Sequence, residues 1–172
     1  GYDICKYYFK RNKIKKYANI VDKNYALLAE FFLTKRFFRA EATNLYCLND
    51  SSQILIAKKG LFKKNADSDK FIKCFSITRG SRPMNLCVCP NGNIYFGEYF
   101  SNYEKKEISI YSSKNNGTTW NIAYTFKEGN INHIHGLFYD KYTNNIWVVT
   151  GDRENECIIG YTEDEFKTFK EV

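Results

Sequence analysis

The sequence contains little proline, methionine or histidine, with two, one and two copies respectively among 172 residues. Its six cysteines include no Cys-x-x-Cys pair, so a zinc module is not expected, and we predict no metal or cofactor. The most apolar stretch, residues 25–33, is interrupted by Glu30 and is far too short to cross a bilayer. We therefore expect no membrane span, and no signal peptide is visible. The compartment stays open, although reduced cysteines would fit the cytoplasm.

Aromatic residues are abundant: 14 tyrosines and 14 phenylalanines help to bring their share to 17%. Rings suit a half-buried pleated surface, so the composition favours strands. The net charge of +7 comes from residues 1–40, which hold ten Lys/Arg and three Asp/Glu, because residues 41–172 hold sixteen of each. This segment could bind a phosphate-rich partner, but we favour a solvated strand pair whose lysines discourage edge pairing, and we expect no nucleic acid partner.

An eight-residue pattern, Ser/Thr-x-Asp/Asn-x-x-x-Thr-aromatic, occurs at residues 113–120 and 162–169, with a degenerate third copy at residues 64–71. The aromatic residues that end the copies, Phe71, Trp120 and Phe169, follow one another at intervals of 49 residues. Three strand-like runs precede each copy, so each unit is predicted to hold four short strands. Four-stranded units at this period are typical of propeller blades and not of a β-sandwich.

The predicted fold is therefore an all-β propeller of four-stranded blades. Residues 42–172 are predicted to form three repeat blades, and residues 1–41 a partial, basic N-terminal blade of the same domain. A propeller closes into a ring, and this chain supplies only about three and a half blades. We expect it to be part of a ring of roughly six to eight blades, with self-association of two chains as the other way to complete the ring.

The octet at residues 113–120 resembles the Asp box of sialidase-like proteins built from bacterial neuraminidase repeats (BNR). In that family the box is the turn between the third and fourth strands of a blade, so the resemblance implies a structural role. Residues 79–169 are also similar to uncharacterised bacterial proteins of this class. Asn115 replaces the usual Asp of the box. The motif set of a sialidase is not found, so the resemblance does not imply that activity.

Ligand sites of propellers usually lie at the end where loops converge near the central channel. Both histidines of the chain, His133 and His135, are predicted on such a loop. In an extended segment residues i and i+2 point the same way, so the two imidazoles could bind a polar ligand, share a metal or transfer a proton. The alternative is structural, with one ring packed at the start of a strand and the other bonded to the backbone.

Glu98 and Asp152 are predicted to lie at nearly the same level on adjacent blades, and paired carboxylates are what glycosidic bond cleavage needs. Glu98, Asp152 and His133 are therefore the candidate catalytic residues, although the carboxylates could instead line the channel opposite arginines. The candidate ligand-binding residues are Arg82, Tyr99, His135, Arg153 and Lys58.

Three functions are compatible with these features. The favoured one is a module that binds a carbohydrate or another small polar ligand. The second is a glycoside hydrolase or polysaccharide lyase, and the third is a scaffold that docks a protein partner through residues 1–40. The sequence does not decide whether the chain is an enzyme.

Overall fold

The computed structural model describes residues 3–22, 24–25, 27–29, 31–38 and 40–172. The chain divides into two compact units, Gly1–Ser76 and Ile77–Val172, here called the N-terminal and C-terminal units. Lys23 and Arg39, two members of the basic segment, lie outside the described residues. Within the described residues, no helix has both the length and the apolar character needed to cross a membrane.

The N-terminal unit contains one six-stranded sheet, sheet 1, in the order β1-β2-β6-β5-β4-β3. Its strands are β1 (Asp3–Tyr8), β2 (Lys13–Val21), β3 (Leu45–Cys47), β4 (Gln53–Ala57), β5 (Gly60–Lys64) and β6 (Lys70–Ser76). Two 3-10 helices, Phe9–Arg11 and Leu27–Ala29, and one helix, α1 (Phe32–Phe37), lie between β1 and β3.

Strands β3 to β6 form the four-stranded antiparallel meander predicted for the first repeat. The β1–β2 hairpin adds to the edge of this meander, because β2 pairs in parallel with β6 from Asn19↔Lys70 to Val21↔Ile72. The free edge of β6 thereby gains partners for its main-chain groups. Both described strands of residues 1–41 thus belong to the sheet of the first repeat and have no sheet of their own, and the two units separate after Ser76.

The C-terminal unit contains two four-stranded antiparallel meanders, sheets 2 and 3. Sheet 2 consists of β7 (Cys87–Val88), β8 (Ile94–Gly97), β9 (Ile108–Ser113) and β10 (Asn121–Phe126). Sheet 3 consists of β11 (Ile134–Tyr139), β12 (Ile146–Thr150), β13 (Ile159–Thr162) and β14 (Lys170–Glu171), with a 3-10 helix at Glu154–Glu156. The four-strand repeat predicted from the 49-residue spacing is confirmed.

Sheets 2 and 3 pack against each other through an apolar core. All four residues of β8 are buried, as expected for a strand covered on both faces. Gly97 permits the close approach of the sheets, because a Cβ there would lie 2.5 Å from Ile134 Cγ2. The buried residues of this core include Cys87, Tyr95, Ile108, Ile110, Ile134, Leu137, Val148 and Phe166.

The eight-residue turns are stabilised by the side chains of their first and third residues. In the turn at residues 113–120, Ser113 Oγ accepts a hydrogen bond from the Gly117 N–H (2.8 Å), and Asn115 Oδ1 accepts one from the Thr119 N–H (2.9 Å). The turn at residues 162–169 has the same bonds, made by Thr162 to Phe166 and by Asp164 to Thr168. Such capping satisfies main-chain donors that the tight turn leaves without a strand partner.

In the turn of the degenerate copy at residues 64–71, the first side chain donates hydrogen bonds to main-chain carbonyl groups and does not accept them from N–H groups. Lys64 occupies the Ser/Thr position and is buried, with 3% of its surface exposed. Its ammonium donates to the carbonyl groups of Asn65 (3.2 Å) and Ser68 (2.9 Å). A cation that binds carbonyl groups thus replaces a hydroxyl that binds N–H groups, so the turn keeps its place in the repeat although the motif has changed.

Candidate functional site

The polar residues predicted for the ligand face meet at one end of the C-terminal unit. β8 ends at Gly97 and β11 begins at Ile134, and the Ile134 N–H donates to the Glu98 carbonyl (3.0 Å). β12 pairs antiparallel with β11, so that its last residue, Thr150, lies opposite Ile134. The segments after β8, before β11 and after β12 therefore converge at the same end.

Two histidines and an aspartate from these segments form a compact group, here called the imidazole–carboxylate cluster: His133, His135 and Asp152. The Asp152 carboxylate lies between the rings, with Oδ2 3.2 Å from His133 Nε2 and Oδ1 3.1 Å from His135 Nε2. The centroids of the two imidazoles are 4.8 Å apart. One ligand atom from each residue lies within 4.8 Å of the other two, so the cluster has the size of a metal-ion or hydroxyl-binding site.

Local backbone features aim these side chains at one another. The register of the β11–β12 pair steps from Ile134↔Thr150 to Gly136↔Val149, so His135 is the extra residue of a β-bulge. Bulges re-aim side chains and are common beside functional sites. Gly151 has φ of +110°, and a Cβ there would lie 2.6 Å from Cys157 Cα, so only glycine fits the turn that presents Asp152.

The two histidines differ in burial and in hydrogen bonding. His133 is 5% exposed, and its Nδ1 lies 3.1 Å from the Phe100 carbonyl oxygen. A carbonyl only accepts, so Nδ1 carries a proton, and Nε2 is the ring nitrogen that faces the Asp152 carboxylate. His135 is half-buried, and its Nε2 is within hydrogen-bonding distance of both the Gly151 carbonyl and Asp152. The Asp152 side chain is 52% exposed, so the cluster opens to solvent on that side.

Tyr99 forms an aromatic wall beside the cluster. Its ring centroid lies 4.4 Å from that of His133 and 5.8 Å from that of His135. The tyrosine is half-buried, so part of its surface stays available to a ligand. An aromatic surface beside hydrogen-bonding groups is a common arrangement in sites for polar organic ligands.

Glu98 is placed differently from the carboxylate partner expected for Asp152. Its carboxylate accepts hydrogen bonds from Arg79 Nε (2.9 Å), from Arg79 Nη2, and from the Ser109 N–H (2.8 Å). Arg79 also donates to the Glu107 carbonyl (2.8 Å). Glu98 is 7% exposed, so these bonds compensate the burial of its charge. They tie the loop after β8 to β9, and a catalytic role for Glu98 stays a prediction.

The remaining predicted ligand residues lie in different surroundings. Arg153 is exposed next to Asp152, and Arg82 is half-buried in the loop before β7. Lys58 belongs to the N-terminal unit, where its ammonium donates to the Phe38 carbonyl and lies 5.4 Å from the Tyr25 ring centroid. Burial, followed by the charge of Lys59, lowers the pKa of Lys58.

Several buried polar residues that hold the site loops were not predicted. Asn102 donates to the Lys106 carbonyl (2.7 Å), and its own N–H donates to Asn132 Oδ1 (2.9 Å). Lys105 binds buried Glu156 across 3.1 Å. Asparagine is common in turns, which was the available signal for Asn102. Asn132 and Glu156 lie in loops far along the chain from Asn102 and Lys105, so sequence spacing did not reveal these two contacts.

A second concave surface lies at the opposite end of the C-terminal unit, beside the eight-residue turns. It is a cavity of about 320 Å³ to which both sheets contribute, and its lining includes Cys89, Tyr95, Tyr139 and Glu165. Glu165 already accepts hydrogen bonds from Asn93 (2.8 Å) and Lys114 (2.6 Å). These contacts give Glu165 a role in joining the two sheets.

No family model matches the sequence, and no curated protein matches it significantly. Solved structures do match. A chain from a nidogen–laminin complex aligns over 99% of this chain and 57% of its own length, at 12% identity and a TM-score of 0.60. The α-L-arabinofuranosidase of Fusarium graminearum, solved with an iminosugar inhibitor, aligns over 74% of this chain and 46% of its own, at 16% identity and a TM-score of 0.51.

This chain is a partial β-propeller. Sheets 2 and 3 are two of its blades, and the chain spans about half the length of the structures it matches. An α-L-arabinanase of Penicillium chrysogenum, complexed with arabinobiose, is a further match at 13% identity and a TM-score of 0.49, covering 74% of this chain and 47% of its own. At these identities the likeness concerns the fold.

Proposed function

We propose that the propeller binds a carbohydrate at the imidazole–carboxylate cluster and Tyr99. The observation that carries this proposal is the convergence of His133, His135, Asp152 and Tyr99 from three separate segments at one loop end. Imidazole and carboxylate groups bind hydroxyls, and the tyrosine ring offers a flat apolar surface to the C–H face of a sugar. The BNR resemblance and the similar fold of the Fusarium α-L-arabinofuranosidase agree with this ligand class.

The binding test is a glycan array, followed by calorimetric titration of the 172-residue chain with the sugars retained. Asp152→Asn keeps the size of the side chain but removes the charge between the imidazoles, so sugar affinity should fall about tenfold or more. Asp67→Asn is the matched control, because Asp67 is an exposed residue of the turn at residues 64–71. A silent array, or equal affinities of the native chain and Asp152→Asn, would count against the proposal.

Glycoside hydrolysis at the same site is a second candidate. It is favoured by the position of Asp152, whose carboxylate oxygens lie 3.2 and 3.1 Å from two imidazole nitrogens that could exchange a proton with it. The test is release of nitrophenol from a nitrophenyl α-L-arabinofuranoside, the sugar class named for the Fusarium enzyme. Asp152→Asn should abolish turnover, whereas binding without turnover by the native chain would leave the propeller a binding module.

A further inference from the structure

The imidazole–carboxylate cluster also has the composition of a metal site. We propose that His133, His135 and Asp152 bind one divalent first-row transition metal ion, of which Zn²⁺ is the best-suited probe. This inference deepens the proposed function and rests on it only for the identity of the organic ligand. It depends on neither Glu98 nor the N-terminal unit.

The decisive observation is the state of His133 Nε2. This atom is buried and makes no hydrogen bond within the described residues, although Asp152 Oδ2 lies 3.2 Å away. A buried polar atom without a partner costs about 1–3 kcal/mol and calls for an explanation such as a bound ion. Because Nδ1 already binds the Phe100 carbonyl, Nε2 is the ring nitrogen left for an ion, and in the neutral ring its lone pair would be directed into the cluster.

The bond between His133 Nδ1 and the Phe100 carbonyl is itself a feature of metal-binding histidines. Such histidines usually donate their second ring N–H to a carbonyl or carboxylate, which fixes the tautomer and orients the ring. Here the acceptor is a main-chain carbonyl in the loop after β8, and the ring of Tyr99 from the same loop also contacts His133. His133 is therefore positioned before any ion arrives.

The separations between the candidate ligand atoms suit a small ion. Ligands at 2.0–2.2 Å from a tetrahedral centre lie roughly 3.3–3.6 Å from one another. The two nitrogen–oxygen separations of the cluster are 3.2 Å to Asp152 Oδ2 and 3.1 Å to Asp152 Oδ1, and one ligand atom from each of the three residues lies within 4.8 Å of the others. Rotation of the His135 and Asp152 side chains would bring these atoms to the distances that one ion requires. His135 would have to present a lone pair at Nε2 in place of its present contact with the Gly151 carbonyl.

The ligand set distinguishes among metals. Ca²⁺ and Mg²⁺ prefer sites made mainly of oxygen atoms, whereas imidazole nitrogen suits Zn²⁺ and its neighbours in the first transition row. Three protein ligands leave at least one coordination position open. That position would face the solvent-exposed side at His135 and Asp152, where hydroxyl groups of a carbohydrate could complete the coordination.

The test is a titration of the chelator-treated 172-residue chain with Co²⁺, followed by displacement with Zn²⁺. We expect one ion per chain and visible d–d absorption bands without a thiolate-to-cobalt charge-transfer band. The absence of that band matters because Cys5, Cys47 and Cys157 are exposed thiols. A variant with these three cysteines replaced by serine should take up the same single ion.

Substitutions assign the ion to the cluster. His133→Gln and Asp152→Asn should each lower metal affinity about 100-fold or more, since loss of an outer partner alone costs roughly 10–100-fold. Asp67→Asn should leave affinity unchanged. Asp152 is half-exposed, so Asp152→Asn remains informative if His133→Gln does not fold. The inference is overturned by no stoichiometric uptake, by a thiolate band, or by equal affinities of the native chain and Asp152→Asn.

The two proposals can fail separately. Sugar binding that persists in chelator, with no metal uptake, would remove the metal and leave the carbohydrate site standing. Stoichiometric metal binding without any retained sugar would support the metal site and count against the carbohydrate site. Sugar binding that requires added Zn²⁺ would support both.

Discussion

Asn85 binds both main-chain groups of Leu137: its Nδ2 donates to the Leu137 carbonyl (2.8 Å), and its Oδ1 accepts from the Leu137 N–H (3.2 Å). β11 is the edge strand of sheet 3 and pairs with β12 on one side only. The amide of Asn85 therefore takes the place of a neighbouring strand at this point of the free edge. It connects the loop before β7 to the sheet that carries the two histidines.

Replacing Asn85 with alanine should destabilise the chain by about 2 kcal/mol, because both main-chain groups of buried Leu137 lose their partner. The measurement is chemical denaturation followed by circular dichroism. Asn121→Ala is the control, since Asn121 is exposed at the start of β10, and it should change stability by less than about 0.5 kcal/mol. Similar losses in the two variants would contradict the bridging role of Asn85.

Gly97→Ala should destabilise the contact between sheets 2 and 3 by about 2 kcal/mol or more, because the new Cβ would lie 2.6 Å from Ile134 Cβ. Ile134→Ala alone should also destabilise, since it empties part of the core. The double variant should lose less stability than the sum of the two single variants, because the smaller side chain makes room for the added methyl group. Additive losses would show that the two residues do not constrain each other.

Arg79→Met breaks the ion pair between Arg79 and Glu98. It should lower the free energy of unfolding by about 3 kcal/mol, because the buried Glu98 charge would lose its guanidinium partner. Arg79 is 34% exposed, which places the loss at the lower end for buried pairs. The melting temperature should also fall in Glu98→Gln. A double-mutant cycle with Arg79→Met and Glu98→Gln measures the coupling, and zero coupling would mean that the pair does not hold the loop.

Exchanging Asp and Asn at positions 164 and 115 should change the acid sensitivity of the protein in opposite directions. Hydrogen bonds from the main-chain N–H and hydroxyl of Thr168 hold the pKa of Asp164 below its ordinary value of 3.8. A carboxylate with a lowered pKa contributes stability that is present above pH 3.8 and is lost as the pH falls through the folded-state pKa. Asp164→Asn should therefore reduce the loss of stability in acid, because Asn115 makes the equivalent bond to the Thr119 N–H without a titrating group.

The reciprocal change, Asn115→Asp, should add acid sensitivity to the turn at residues 113–120. The urea midpoint of both variants and of the native chain, followed from neutral pH to below pH 3.8, measures the effect. Hydrogen bonds from Thr143 and Tyr142 also lower the pKa of Asp140. All three proteins contain Asp140, so its contribution to the loss of stability in acid is common to them and does not affect the comparison. Parallel acid profiles of all three proteins would contradict this account.

The repeat was readable from the sequence because each blade reuses the same local chemistry. The spacing of Phe71, Trp120 and Phe169 predicted the four-strand units, and the structure contains a four-stranded meander for each. The polar turn residues recur for a local reason: a side chain two or four residues away is always within reach of the main-chain donor it caps. Information of this kind lies within a few residues of the chain.

The site was readable only in part. The sequence predicted that His133 and His135 would lie together, because residues two apart in an extended segment share a face. The bulge that makes His135 the unpaired residue depends on the register of β11 with β12, which no local pattern specifies. Glu98 and Asp152 were predicted to lie in equivalent positions, but their partners differ. Arg79 binds Glu98, whereas His133 and His135 lie beside Asp152.

The sequence by itself determined the blade repeat, the turn chemistry and the candidate residues of the loop end, because these follow from periodicity and from contacts between near neighbours. Only the tertiary structure decided which polar groups meet. Asp152 reaches His133 across 19 positions through the pairing of β11 with β12, and His133 reaches Phe100 across 33 positions through the packing of sheet 3 on sheet 2. Side-chain partners at that separation are set by distances and directions that residue spacing does not encode.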